Sequence, residues 1–161
     1  MANYYNASLR NLTYRLRKFK DILDQELKEE ILRNEDVIIR MIADDQLYEQ
    51  GIEGRGTSIM EYMPYTIRTI KNKQKKGQPY NRVTLRDTGK FHNSLRVEFD
   101  DNGFYVVSTD DKAPELLEKY GKTIFRLTNK NLSTLIKEHI RPSLQEKLKK
   151  YIINGWEYNH K

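Results

Sequence analysis

Residues 85–95 read Leu85-Arg86-Asp87-Thr88-Gly89-Lys90-Phe91-His92-Asn93-Ser94-Leu95, and this run decides the fold of the second half of the chain. Val83 to Leu85 predicts a short strand before it. Thr88 is expected to cap a helix of one or two turns, because its hydroxyl can accept a hydrogen bond from a backbone N–H group. Gly89 is expected to allow close backbone approach, and Phe91, Ser94 and Leu95 then fall on one helical face.

A β-hairpin and a short helix are predicted directly after this run. Two β-prone segments, 96–100 and 104–108, flank Asp101-Asn102-Gly103, and Asn-Gly between such segments is a strong hairpin signal. Ala113 to Tyr120 has helical character, with Pro114 near its first turn and Gly121 as its stop.

The chain is expected to close with a helix. Residues 123–127 form a candidate strand, and a terminal helix is predicted from about Asn129, capped by Thr128. Pro142 should kink or split that helix because it lacks a backbone donor. Residues 154–161 are interpreted as a C-terminal tail.

The first half predicts two helices and a less regular segment. Apolar residues recur every three or four positions over 7–32, which indicates a long amphipathic helix, and Asn34 separates it from a second helical stretch that ends at Gly51. Residues 51–82 are interpreted as an inserted loop or arm. Within them, 59–70 favours a strand or an irregular arm, and Lys71 to Pro79 is predicted to be an exposed loop.

Composition narrows the possible roles. The chain has 161 residues, a net charge of +6 and no cysteine. We therefore expect one domain over residues 1–153. Residues 21–50 carry a net charge of −7 and residues 119–161 a net charge of +7. This alternation suits packing between copies of the chain as well as it suits one basic surface for nucleic acid.

No motif in the sequence supplies recognisable catalytic chemistry. The three histidines lack metal-ligand spacing, and the Thr88-Gly89-Lys90 triplet lacks the other residues of a phosphate-binding loop. We expect no enzymatic activity, cofactor, metal, membrane segment or small-molecule substrate. A hydrolase or nuclease that uses Asp87, His92 and a metal ion is kept as an alternative.

A basic stretch supports a second alternative, non-specific DNA binding. The basic residues in it are candidates for contact with double-stranded DNA or a partner: Lys71, Lys73, Lys75, Lys76 and Arg82. No recognised nucleic-acid reading module accompanies them.

The run at 85–95 resembles the L-x-x-T-G-x-L-x-x-S-I signature of a bacteriophage family, the head–tail connector, neck or tail-completion proteins of tailed phages. The residues at the pattern positions are Leu85, Thr88, Gly89, Phe91, Ser94 and Leu95. Phe91 stands where Leu is commoner in the family, and Leu95 where Ile is commoner. Residues 112–121 look like a looser version of the family's next segment, Y-A-x-x-x-E-x-G. Residues 124–128 and the following helix take the place of an R-P-F-L-like element and a closing helix, although the R-P pair is missing.

The resemblance covers roughly residues 83–152, and the 51–79 segment departs from short family members. It implies an α+β fold in which a long N-terminal helix and a C-terminal helix pack on a small, mainly antiparallel sheet. It also implies a structural virion protein that is assembled in the host cytoplasm and forms a cyclic ring in the neck. The implied partners are the portal, other neck proteins and tail proteins, with DNA passing through the centre of the ring. The motif residues are then structural and not catalytic.

Overall fold

The computed structural model describes residues 9–154. The predicted tail over residues 154–161 lies outside this range except for Asn154, which is the last residue of a helix. The described chain mixes helix with one two-stranded antiparallel sheet, which confirms the predicted α+β class with its long N-terminal helix. Its residues fall into two compact units. One consists of the helical residues up to Arg33 together with those from Ile136 onward, and the other is Asn34–Leu135. None of the helices in the described range is long and apolar enough to cross a membrane.

The N-terminal helices form as predicted. Helix α1 spans Leu9–Arg33, and Asn34 separates it from helix α2, Glu35–Arg40. A π-helical segment, Met41–Gln50, follows directly. Gly51 ends it with a left-handed φ of 65°, a conformation that glycine adopts without a steric penalty.

Residues 51–82 are more regular and more buried than their interpretation as a loop or arm suggests. Helix α3 spans Ile59–Tyr62, and helix α4 spans Ile67–Lys75. The predicted exposed loop from Lys71 is therefore wrong as far as Lys75. Thr66 caps α4 by accepting a hydrogen bond from the backbone N–H of Thr69 at 3.2 Å.

This segment also contributes to the core. Ile59 and Glu53 are fully buried. Gly54 packs closely against Arg126, which is distant in sequence. A Cβ added at residue 54 would lie 2.5 Å from the Cβ of Arg126. The backbone can take this path only because residue 54 has no side chain.

The hairpin and the next helix match their predictions. Helix α5 spans Lys90–Asn93, strand β1 Leu95–Asp100, strand β2 Gly103–Ser108 and helix α6 Ala113–Tyr120. The two predicted strands that flank these elements are wrong. Leu85 interrupts extended structure with a φ of 50°. Residues Lys122–Phe125 form a 3₁₀ turn instead of a strand.

The closing helix begins where the sequence indicates. Helix α7 spans Asn129–Thr134, and the Thr128 hydroxyl accepts from the N–H of Asn131 at 3.2 Å, which confirms the predicted cap. A π-helical segment, Leu135–Ile140, and helix α8, Arg141–Asn154, complete the described chain. The helix is irregular just before Pro142, which cannot donate a backbone hydrogen bond.

In the first unit, α1 packs against α8. The rings of Phe19 and Tyr151 lie 5.8 Å apart. The Lys147 ammonium forms an ion pair with Glu26 and lies 3.4 Å from Glu30, which also accepts from the Ser143 hydroxyl at 2.7 Å. Part of the charge alternation noted in the sequence is thus matched within one chain.

In the second unit, Gln46 of the π-helical segment joins distant backbone groups. Its amide nitrogen donates to the carbonyl of Arg126 at 3.0 Å, and its oxygen accepts from the N–H of Thr128 at 2.8 Å. The Asn131 side chain donates to the same oxygen at 3.0 Å and to the carbonyl of Met41 at 3.2 Å. Because Gln46 is fully buried, these bonds satisfy polar groups that water does not reach.

Candidate functional site

The turn that opens the Leu85–Leu95 run is organised around Thr84, which is fully buried. Its backbone N–H donates to the hydroxyl of Tyr65 at 2.9 Å, and its carbonyl accepts from the Nε2 of His92 at 2.9 Å. The Thr84 hydroxyl accepts from the backbone N–H of Arg86 at 3.3 Å. The side chains of Tyr65 and His92 thus form the hydrogen bonds with the Thr84 backbone that a neighbouring strand would form if residues 83–85 were the predicted strand.

Lys73 of helix α4 reaches into the same turn. Its side chain is buried, and its ammonium donates to the Arg86 carbonyl at 2.9 Å, to the Thr84 hydroxyl at 3.3 Å and to Gln78 at 3.4 Å. It also lies 5.2 Å from the centre of the Tyr65 ring, a cation–π distance. The ammonium of Lys73 is therefore hydrogen-bonded inside the chain, whereas the predicted contact with DNA or a partner requires an exposed charge.

Two backbone positions in the run take left-handed conformations. Leu85 has a φ of 50°. Among the non-glycine residues of the described range, it alone has a positive φ. Such a residue is uncommon and is held by its surroundings. Gly89 has a φ of 87°, yet a Cβ built there would meet its nearest atoms at 3.9 Å. Glycine is favoured here for its backbone angle and not for the close approach expected from the sequence.

The predicted cap of the short helix is shifted by one residue. Gly89 occupies the N-cap position of α5, and the Thr88 hydroxyl accepts a long bond of 3.4 Å from the N–H of Lys90. Thr88 lies in the turn that precedes the cap. Its side chain is exposed, so its contribution to the helix is small.

The other motif residues join α5 to the hairpin. Phe91 is buried, with its ring 5.7 Å from that of Phe125, and Leu95 is buried at the start of β1. Ser94 donates to the carbonyl of Phe91 at 2.8 Å, so the 2.6 Å contact with Ser108 requires the Ser108 hydroxyl to donate to Ser94. Ser94 thus connects the end of the helix to strand β2.

Asp87 and His92, the pair considered for hydrolysis, lie in different environments. The Lys76 ammonium, 2.5 Å from Asp87, holds the pKa of that carboxyl below its usual range. His92 is buried, and this burial lowers the pKa of its imidazole, although the bond to the Thr84 carbonyl acts in the opposite direction. Among residues 9–154, no group of three or more His, Asp or Glu side chains is placed to hold a metal ion.

The remaining basic candidates divide into two kinds. Lys71 and Lys75 are exposed on α4. Lys76 is paired with Asp87, and Arg82 donates to the carbonyl of Tyr48 at 2.7 Å. Only part of the predicted basic stretch is therefore available to a phosphate backbone.

A groove of about 1020 Å³ lies beside strand β2. Its far wall comes from helix α6, the 3₁₀ turn and the start of α7, and its apolar lining includes Val106, Pro114, Leu117, Phe125, Leu127 and Leu132. Four charged residues also border it: Asp110, Asp111, Lys122 and Arg126. None of these four forms an ion pair with another residue of the described chain.

Sequence reasoning missed Tyr65, Gln78 and Thr84, and it misjudged Lys73. Residue type does not separate Lys73 from the neighbouring lysines. Its position three residues after half-buried Ile70 places it on the inner face once α4 is recognised as a helix. A search of protein-family models, curated proteins and solved structures found no match to this chain.

Proposed function

We propose that this chain is a structural virion protein that forms a ring in the neck of a tailed phage and joins the portal and capsid to the tail. One observation carries the proposal. The Leu85–Leu95 run is followed by a hairpin, a short helix and a closing helix, in the order found in the connector and tail-completion family that the sequence resembles.

The use of the motif side chains supports a structural role. Phe91 and Leu95 are buried, Ser94 bonds to neighbouring backbone and side chain, and Gly89 supplies a left-handed angle. A motif used in this way positions elements of a subunit, as the family resemblance implies, and leaves its outer surfaces free for neighbours.

Exposed apolar side chains support assembly with neighbours. On helix α1, Tyr14, Leu16 and Leu32 are 61%, 44% and 49% exposed. Tyr14 and Leu32 are five helical turns apart, so both lie on one face of α1 and are available to a neighbouring chain. In a cyclic ring each subunit presents two different patches to its two neighbours, so the interface is heterologous.

Deletion of the gene from the phage genome that encodes it tests the proposal. We expect electron micrographs of the lysate to show DNA-containing heads and separate tails, with joined particles restored when the wild-type chain is supplied from a plasmid. A chain tagged at its N-terminus should be located at the neck of restored particles. Joined, infectious particles in the absence of the chain would overturn the proposal.

Non-specific DNA binding is a second candidate, and the exposure of Lys71 and Lys75 favours it. A phosphate-binding surface predicts affinity for free duplex DNA that falls steeply with salt. Replacing both lysines with Gln should then weaken binding and reduce the salt dependence. Affinity that is unchanged by this double substitution would remove the candidate.

A further inference from the structure

The two outer edges of the β-hairpin differ in whether other parts of the chain bond to their backbone groups. On β1, the N–H of Val97 donates to the Glu35 carboxylate of helix α2 at 2.7 Å, so this N–H points away from β2. Val97 is paired directly with Val106. Their pair is therefore not hydrogen-bonded, and the N–H and C=O of Val106 also point away from the hairpin.

The same alternation applies along β2. Phe104 and Ser108 lie two residues from Val106, so their backbone groups also point outward. Within the described range, no hydrogen bond reaches the outward backbone groups of these three residues. Strand β2 therefore offers an open row of donors and acceptors, whereas helix α2 covers part of the corresponding row on β1.

The sequence of β2 leaves this edge unprotected. Proteins usually guard an open edge with charged residues, proline or a covering element. Gly103–Ser108 contains no charge and no proline, whereas β1 carries Arg96 and Glu98. An uncharged open edge of this kind is suited to pairing with another extended segment.

The groove beside β2 completes the site. Its apolar walls can hold alternate side chains of an added strand while the β2 edge bonds to its backbone, which is the arrangement used in β-strand addition. The groove volume of about 1020 Å³ is enough for several side chains.

Charge at the ends of β2 specifies the partner. Asp100 and Asp101 precede the strand, and Asp110 and Asp111 follow it. A second copy of β2 in antiparallel pairing would bring Asp101 of one copy toward Asp110 of the other, which like-charge repulsion disfavours. The better occupant carries Lys or Arg beyond both ends. Its central residues are not basic, because Lys122 and Arg126 border the far wall, and those that enter the groove are apolar, because its lining is mostly apolar.

We propose that strand β2 is a docking edge for an extended segment of a partner protein. The segment is uncharged, has apolar residues at alternate positions and is flanked by basic residues. It adds as a third strand beside Phe104, Val106 and Ser108. This inference concerns the hairpin and its groove, and it holds whether or not the chain is a neck protein.

A synthetic decapeptide, KKTVTITVKK, tests the proposal by NMR titration of the full-length protein. We expect chemical-shift changes on β2 and the groove walls, and slower hydrogen exchange at the amides of Phe104, Val106 and Ser108. The matched peptide EETVTITVEE should bind at least about tenfold more weakly at low salt.

A pair of variants isolates the backbone contribution. Phe104→Pro removes an outward N–H, and Phe104→Ala keeps it, so the proline variant should bind KKTVTITVKK at least about tenfold more weakly than the alanine variant. If Phe104→Pro does not fold, the exchange rates of the wild-type amides decide alone.

Four results would overturn the proposal: no binding at about 1 mM peptide, equal binding of the two peptides, shifts confined to other surfaces, or unprotected β2 amides in the complex.

Discussion

The ammonium of Lys73 lies 2.9 Å from the carbonyl oxygen of Arg86. This bond joins helix α4 to the turn at the start of the Leu85–Leu95 run. Because Thr84 is bonded to Tyr65 and His92 on the same turn, the motif is held from three directions. The run is best understood as a structural junction whose polar groups are used internally.

Gly54→Ala should destabilise the protein strongly. The new Cβ would lie 2.5 Å from the Cβ of Arg126 and 2.7 Å from its carbonyl oxygen, so the backbone must move, at a cost of about 3 kcal/mol. Gly56→Ala is the matched control, because its surroundings are open and only its φ of +82° is unfavourable, at about 1 kcal/mol. Urea unfolding of both variants measures the difference. Equal losses would contradict the close packing of residue 54.

Gln46→Leu should cost about 2–4 kcal/mol of unfolding free energy, because it leaves the N–H of Thr128 and the carbonyl of Arg126 without partners. Gln50→Leu serves as the control. Gln50 is exposed, and its side chain donates to the nearby carbonyl of Asp45, so the substitution should change the unfolding free energy by no more than about 0.5 kcal/mol. A similar effect of the two substitutions would show that the buried amide network contributes little.

Acid should destabilise the protein through His92. Burial lowers the pKa of its imidazole below the ordinary value of 6.5, so the unfolded state binds more protons than the folded state. The stabilisation is complete above pH 6.5 and is lost as the pH falls toward the lowered folded pKa. His92→Gln keeps a donor for the Thr84 carbonyl but does not titrate. Its unfolding free energy should therefore fall less than that of the wild type between pH 7 and pH 5. Parallel pH profiles over this range would rule out the linkage.

Local patterns predicted the elements that depend on local chemistry. Asn-Gly marked the hairpin, Gly121 marked the end of helix α6, and Thr128 marked the start of α7. Each signal acts over a few residues, so the sequence around it is sufficient.

Long-range contacts account for the failures. Val83–Leu85 has strand propensity, yet the side chains of Tyr65 and His92 form hydrogen bonds with the backbone of Thr84. These bonds take the place of those that a neighbouring strand would form. The burial of Lys73 depends on Gln78, Thr84 and Arg86, which come together only after α4 folds onto the turn. The open edge of β2 could not be foreseen either, because it depends on which strand faces Glu35.

The most direct test of the structural junction compares Lys73→Met with Lys75→Met, measuring both unfolding in urea and affinity for duplex DNA. We expect Lys73→Met to lose about 1–3 kcal/mol of unfolding free energy, because Arg86 and Gln78 lose a charged donor, while its DNA affinity stays unchanged. Exposed Lys75 should give a variant within about 0.5 kcal/mol of the wild type. A Lys73→Met protein that is as stable as Lys75→Met and binds DNA more weakly than the wild type would contradict the account.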